Sequence, residues 1–98
     1  MAGYVIAGNN VVDAEVMREY SALVQATMDP FGGRFVVRGG KVEVVEGAWS
    51  ASRTVVIEFP SLEHARGWYH SDAYQAIIQM RFDAAKTDFL MFVEGWGE

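Results

Sequence analysis

Arg53-Thr54-Val55-Val56-Ile57-Glu58-Phe59-Pro60 is the stretch on which the fold turns. Its β-branched run from Thr54 to Ile57, with Phe59 beyond Glu58, is the strongest strand signal in the chain, and Pro60, which lacks a backbone donor, closes it. From Ser61 the period changes. Ser61 is placed to cap a short helix that carries Leu62, Ala65, Trp68 and Tyr69 on one side. Ser71 is placed to cap a second helix that aligns Tyr74, Ile77, Ile78, Phe82 and Ala85. Asp88 to Glu94 is then a last apolar strand.

Upstream, Arg34-Phe35-Val36-Val37-Arg38 reads as a strand bracketed by Gly32-Gly33 and Gly39-Gly40, glycine pairs suited to turns with positive φ. A strict period of two puts Arg34, Val36 and Arg38 on one face, with Phe35 and Val37 on the other. Lys41 to Glu46 is readable as a further short strand and Gly47 to Ser50 as a loop. At the start, Gly3 to Gly8 is a buried strand that the turn-prone Asn9-Asn10 ends. Asp13 then opens a helix whose stripe is Val16, Tyr20, Leu23, Val24 and Thr27/Met28, and Asp29-Pro30 with Gly32-Gly33 ends it.

The order β-α-β-(β)-β-α-α-β describes a single α+β domain over residues 1–98: a ferredoxin-like antiparallel sheet with helices on one face. The other face is left uncovered although the strands carry apolar groups on both sides. Such a patch predicts a homodimer formed sheet against sheet. Fifty-one per cent hydrophobic and 21% charged residues exclude a disordered chain. A net charge of −5 disfavours nucleic acid as a partner. The chain has no cysteine, which leaves no thiolate nucleophile or disulfide framework, and its apolar runs are too short for a membrane span. A cytoplasmic protein with no membrane partner is the expectation.

No Ser-elbow, zinc-protease, phosphate-loop or dinucleotide motif is present. His64 and His70 are six residues apart, off a common helix face, and read as surface histidines; no metal site is expected, and His70 is kept as a group able to titrate near neutral pH. The arginines say more. Arg34, Arg38 and Arg53 fall on two strands that the fold sets side by side, and Arg81 lies at i+3 and i+4 from Ile78 and Ile77, where an unpaired cation is costly and needs an acid or a ligand. Either Glu46 and Glu58 pair with these arginines, or the guanidiniums hold an oxyanion of a small ligand. Glu58, flanked by apolar residues, is a candidate proton carrier. Trp49, Trp68, Tyr69, Tyr74 and Phe82 are either core or the lining of a pocket for a flat molecule.

Gly32-Gly33-Arg34-Phe35, Arg38-Gly39-Gly40, Glu46-Gly47 with Trp49, Arg53, Val56 to Pro60, Trp68-Tyr69, Ser71-x-x-Tyr74-Gln75 and Arg81 together resemble the bacterial family called domain of unknown function 1330, over nearly the whole chain. The resemblance implies membership of the dimeric α+β barrel superfamily, whose members include cofactor-free monooxygenases, muconolactone isomerases, haem-degrading enzymes and stress-responsive proteins. Matched to that motif, Arg34, Arg38, Glu46, Arg53, Glu58, Tyr69, Ser71, Tyr74 and Arg81 form the candidate site. Glu58, His70, Tyr74 and Arg81 are its catalytic candidates; Arg34, Arg38, Glu46, Arg53, Trp68, Tyr69 and Ser71 are its ligand-binding candidates. No cofactor is expected, and neither histidine stands in a setting suited to haem. The first functional reading is a cofactor-independent enzyme of isomerase or monooxygenase type, acting on a small oxygenated metabolite with an aromatic or unsaturated body. The alternatives are a non-catalytic small-molecule-binding or stress-associated dimer, and a purely structural interaction module.

Overall fold

A computed structural model describes residues 1–97. The strands are β1 (Gly3–Val11), β2 (Arg34–Arg38), β3 (Arg53–Phe59) and β4 (Ala85–Glu94), and the helices are α1 (Ala14–Met28), α2 (Leu62–Tyr69), α3 (Asp72–Gln75) and α4 (Ile78–Ala84). The sheet order is β2-β3-β1-β4 and every neighbouring pair is antiparallel, with the helices on one face. This is the α+β, ferredoxin-like arrangement expected from the sequence.

Local chemistry accounts for the boundaries. The Asp13 carboxylate accepts from the backbone N–H groups of Glu15 and Val16, satisfying donors that the first turn of α1 leaves free. A 3₁₀ turn over Asp29–Phe31 and Gly32, at φ 73°, end that helix. Ser61 and Ser71 cap α2 and α3 through the N–H groups of His64 and Tyr74. The core lies between helices and sheet, where Val5, Ile57 and Phe59 meet Val24, Met28, Trp68 and Tyr74.

Four expectations are corrected. Strand β1 continues through Asn9-Asn10 to Val11, because that pair is taken up in the ladder to β4. Lys41 to Glu46 forms no strand; it belongs to an exposed connection between β2 and β3 in which no sheet edge reaches it. The helix expected after Ser71 breaks at Ala76-Ile77 into α3 and α4, and Ala85 already starts β4. The fourth correction concerns faces. Phe35 pairs with Ile57, but Val37 pairs with Val56, so Val36 is an extra, bulged residue. Alternation resumes one step late, which puts Arg38 beside Val55 on the helix-covered face and separates it from Arg34. A matching irregularity in β4 pairs Gly8 with Phe89 but Asn9 with Thr87, leaving Asp88 over and turning Thr87 toward the same covered face. Both irregularities re-aim a polar side chain, a recurrent use of bulges beside functional sites. No helix among the described residues is long and apolar enough to cross a membrane.

Candidate functional site

Between α1 and the covered face of the sheet lies a cavity of about 40 Å³, lined by residues that include Val55, Trp68, Leu90, Tyr20, Tyr74, Asn9 and three arginines, Arg38, Arg53 and Arg81. One water needs roughly 10–15 Å³ on this measure, so the chamber holds a few waters or a group of carboxylate size. Met17, Ser21 and Arg53 also line an open cleft with Val11, Ala14 and Arg18, which marks the side where the cavity approaches solvent.

Each arginine arrives by a different route. Arg53 starts β3 and faces the helices with Val55 and Ile57. Arg38 is brought round by the Val36 bulge; its Nη2 donates to the Ser21 carbonyl of α1 at 2.8 Å, and its guanidinium lies 4.1 Å above the Phe35 ring. Arg81, on α4, is only 4% exposed. Its Nε donates to Tyr74 Oη at 3.1 Å and its Nη1 to Thr87 Oγ1 at 2.8 Å. Tyr74 Oη is in turn 2.8 Å from Tyr20 Oη, and Thr87 Oγ1 donates to Asn9 Oδ1 at 2.9 Å. Trp68 stacks against Tyr74 at 4.2 Å and is anchored by donation of its Nε1–H to Thr27 Oγ1.

The electrostatics of this chamber are one-signed. No Asp, Glu or His lines it, and among the described residues the only salt bridge joins Arg34 to Glu58 elsewhere. Burial lowers the pKa of Arg53, and the neighbouring positive charge of Arg38 lowers it further. Burial and the Tyr74 hydroxyl push Tyr20 far above the ordinary tyrosine value, so it remains a neutral donor. A buried guanidinium without a counter-ion is expensive to keep, and Arg81 is offset only by two neutral hydrogen bonds and by the Phe82 ring 5.0 Å away.

Of the residues singled out from the sequence, Arg38, Arg53, Trp68, Tyr74 and Arg81 come together here. Glu58 and Arg34 do not. They lie on the uncovered sheet face, where Glu58 accepts from both Arg34 Nη2 and Tyr4 Oη, the latter at 3.2 Å. That hydrogen bond to the carboxylate, with the carboxylate's negative charge, raises the Tyr4 pKa. Glu46 is exposed in the β2–β3 connection. His70 is the exposed C-cap of α2 and lies edge-on to Tyr69. Ser71 Oγ is occupied in capping and in donating to the Trp68 carbonyl, while Tyr69 packs behind the cavity against Trp68, Tyr74 and Phe92. Trp49 packs on Phe89 and Phe82 is half exposed, so neither aromatic lines the chamber. Tyr20, Asn9 and Thr87 were not legible as site residues. The available signal for Tyr20 was a phenol hydroxyl between Val16 and Leu23-Val24 in the α1 stripe, which faces arginine-bearing strands. Among the described residues, no group of three or more His, Asp or Glu side chains is arranged to hold a metal ion.

The fold is shared with solved structures of low sequence identity. The RPA0582 protein of Rhodopseudomonas palustris, itself of unknown function, superimposes with a TM-score of 0.77 at 14% identity, over 99% of this chain and 84% of that one. HapK from Hahella chejuensis gives 0.65 at 16% identity, over 98% and 94%. A conserved protein from Methanosarcina mazei gives 0.57 at 15% identity, over 96% and 92%. No curated protein matches the chain. The model of one family, domain of unknown function DUF1330, matches residues 2–96, and the chain belongs to that family.

Proposed function

We propose that the cavity takes the carboxylate or enolate oxygen of a small organic anion among its arginines, with the unsaturated or aromatic body extending into the adjoining open cleft beside Met17 and Ala14. The observation that carries this reading is the convergence of Arg38, Arg53 and Arg81 on a chamber that no carboxylate lines. Of the three, Arg81 is buried, Arg53 partly buried and Arg38 exposed; a buried arginine ordinarily has an acid beside it, whereas here the counter-charge is left for a ligand to supply. The experiment is calorimetric titration with crotonate and benzoate of the unmodified protein and of Arg53→Met. Binding that Arg53→Met weakens about tenfold or more supports the reading, as expected for loss of a charge-assisted hydrogen bond. Equal binding by both proteins contradicts it.

Catalysis of isomerase or monooxygenase type without a cofactor is the second reading, and the hydrogen-bonded run Arg81–Tyr74–Tyr20 favours it. Guanidiniums and tyrosine hydroxyls suit stabilisation of negative charge that develops on a substrate oxygen. No lining side chain is an acid or imidazole, so the negative charge in such a reaction would be the substrate's own. Glu58 and His70, remote from the chamber, have no part in this scheme.

The uncovered sheet face supports a homodimer. Register places Ile6, Val56, Met91 and Val93 together on it with Val37. Met91 is 45% and Val93 38% exposed in the single chain, as an apolar face that a second copy covers would be. Analytical ultracentrifugation of Val56→Glu tests this: the unmodified protein sediments as a dimer and the variant as a monomer. A monomer in both cases contradicts the assignment.

A further inference from the structure

We infer that Arg81 orients the protons of Tyr74 and Thr87, so that the Tyr20 O–H and the Asn9 NH₂ are turned to the cavity as donors and the ligand is selected for oxygens that accept. The inference rests on the proposed anion site and defines the chemistry of its ligand more narrowly. Arginine has no acceptor, so Nε–H and Nη1–H of Arg81 necessarily donate to Tyr74 Oη and Thr87 Oγ1. Tyr74 is fully buried, and the partners of its hydroxyl are Arg81 Nε and Tyr20 Oη. Having accepted from Arg81, Tyr74 has one place for its own proton, the Tyr20 oxygen. Tyr20 therefore accepts from Tyr74, and its own O–H remains for the cavity it lines.

The second branch runs the same way. Thr87 accepts from Arg81 and so donates to Asn9 Oδ1, which fixes the Asn9 amide with its oxygen turned inward to Thr87. The Nδ2H₂ end is left as the terminus of that branch, on a residue that is 4% exposed and lines the cavity. Two bonds from one donor-only cation thus end in two further donors, and Arg38 and Arg53 add donors without acceptors. A primary amide places an NH₂ where a carboxylate has its second oxygen, and here that NH₂ meets N–H and O–H groups. Tyr20 and Asn9 are accordingly specificity-determining, and Arg81 is the positioning residue behind them.

Crotonate and crotonamide, equal in shape and different in donor content, are the probes. Their dissociation constants are measured by NMR titration of the unmodified protein, of Tyr20→Phe, and of Asn9→Asp, which keeps the volume of Asn9 but replaces its donor with a carboxylate oxygen. Crotonate is expected to bind the unmodified protein at least about tenfold more tightly than crotonamide, with much of that preference lost in Tyr20→Phe and crotonate binding abolished in Asn9→Asp. Folding of each variant is checked from the same spectra. Neutron diffraction of the ligand-free protein reads the directions independently, and the Tyr74 deuteron is expected on the line to Tyr20 Oη. Crotonate binding with no preference over crotonamide, or with a preference that Tyr20→Phe and Asn9→Asp leave intact, overturns the inference while leaving the anion site standing. A Tyr74 deuteron directed elsewhere also overturns it. Failure of crotonate to bind at all, with no binding of benzoate, overturns the anion site and this inference together.

Discussion

Arg34 and Arg38 stand four residues apart on one strand and lead opposite lives. Arg34 lies on the uncovered face of the sheet, where Glu58 neutralises it and Tyr4 completes the carboxylate's hydrogen bonding. Arg38 lies on the covered face, where it meets a backbone carbonyl and an aromatic ring and shares a cavity lining with two more arginines. One inserted residue, Val36, makes the difference. On the uncovered face the charges of Arg34 and Glu58 answer one another beside an apolar patch of Ile6, Val56, Met91 and Val93. On the covered face a positive cavity is built at a cost to stability, and the proposed anion site rests on that imbalance.

The contrast can be broken most severely at the floor of the cavity. Trp68 is 1% exposed and stacks on both Phe59 and Tyr74, so Trp68→Ala is expected to destabilise the fold by about 3–5 kcal/mol in chemical denaturation. Met91→Ala on the opposite face, where the side chain is 45% exposed, should change the stability of the isolated chain by no more than about 0.5 kcal/mol. Equal losses at the two positions would erase the distinction between the faces.

Alkaline titration gives an intermediate effect. Tyr20 binds its proton more tightly in the folded chain than in the unfolded one, whose tyrosine pKa is near the ordinary value of 10.0. Its contribution to stability is therefore complete below pH 10 and declines as pH rises beyond it, by up to about 1.4 kcal/mol per pH unit. Denaturation series above that pH should show a shallower decline for Tyr20→Phe than for the unmodified protein. Parallel curves would mean that Tyr20 is not held in the buried, hydrogen-bonded position described.

The smallest effect is expected at Glu58. Its pairing with Arg34 is largely solvent-exposed, and Glu58→Gln should cost less than about 1 kcal/mol. Loss of the carboxylate should let the Tyr4 pKa fall back toward its ordinary value, which ultraviolet titration of the phenol reads directly. An unchanged Tyr4 titration would show that the Glu58 hydrogen bond is absent in solution.

Most of the framework was legible because it is locally specified. Asp13, Ser61 and Ser71 announce helix starts through their own side chains, and the β-branched run before Pro60 leaves little choice but a strand. Arg81 was legible as an anomaly, since a cation in an apolar stripe violates a local rule and such violations concentrate at functional sites. The face of Arg38 was not legible. Alternation assumes an uninterrupted ladder, and nothing in Phe35-Val36-Val37 states which residue is extra. The same reason hid Thr87. Glu58 was misplaced in role because flanking apolar residues on a strand point to both faces, and its neighbours in sequence are not its neighbours in space. Lys41 to Glu46 has strand composition but no partner strand, and pairing is a property of the whole fold.

The most direct test of the difference between the faces is an NMR titration with crotonate of three proteins: the unmodified chain, Arg81→Met and Glu58→Gln. Arg81→Met keeps the volume of the side chain and removes a buried charge with no acid beside it, so it should fold with stability within about 1 kcal/mol of the unmodified protein or exceed it. It should also lose crotonate binding, while Glu58→Gln binds as the unmodified protein does. Retention of binding in Arg81→Met, or its loss in Glu58→Gln, would contradict the assignment of the ligand site to the covered face.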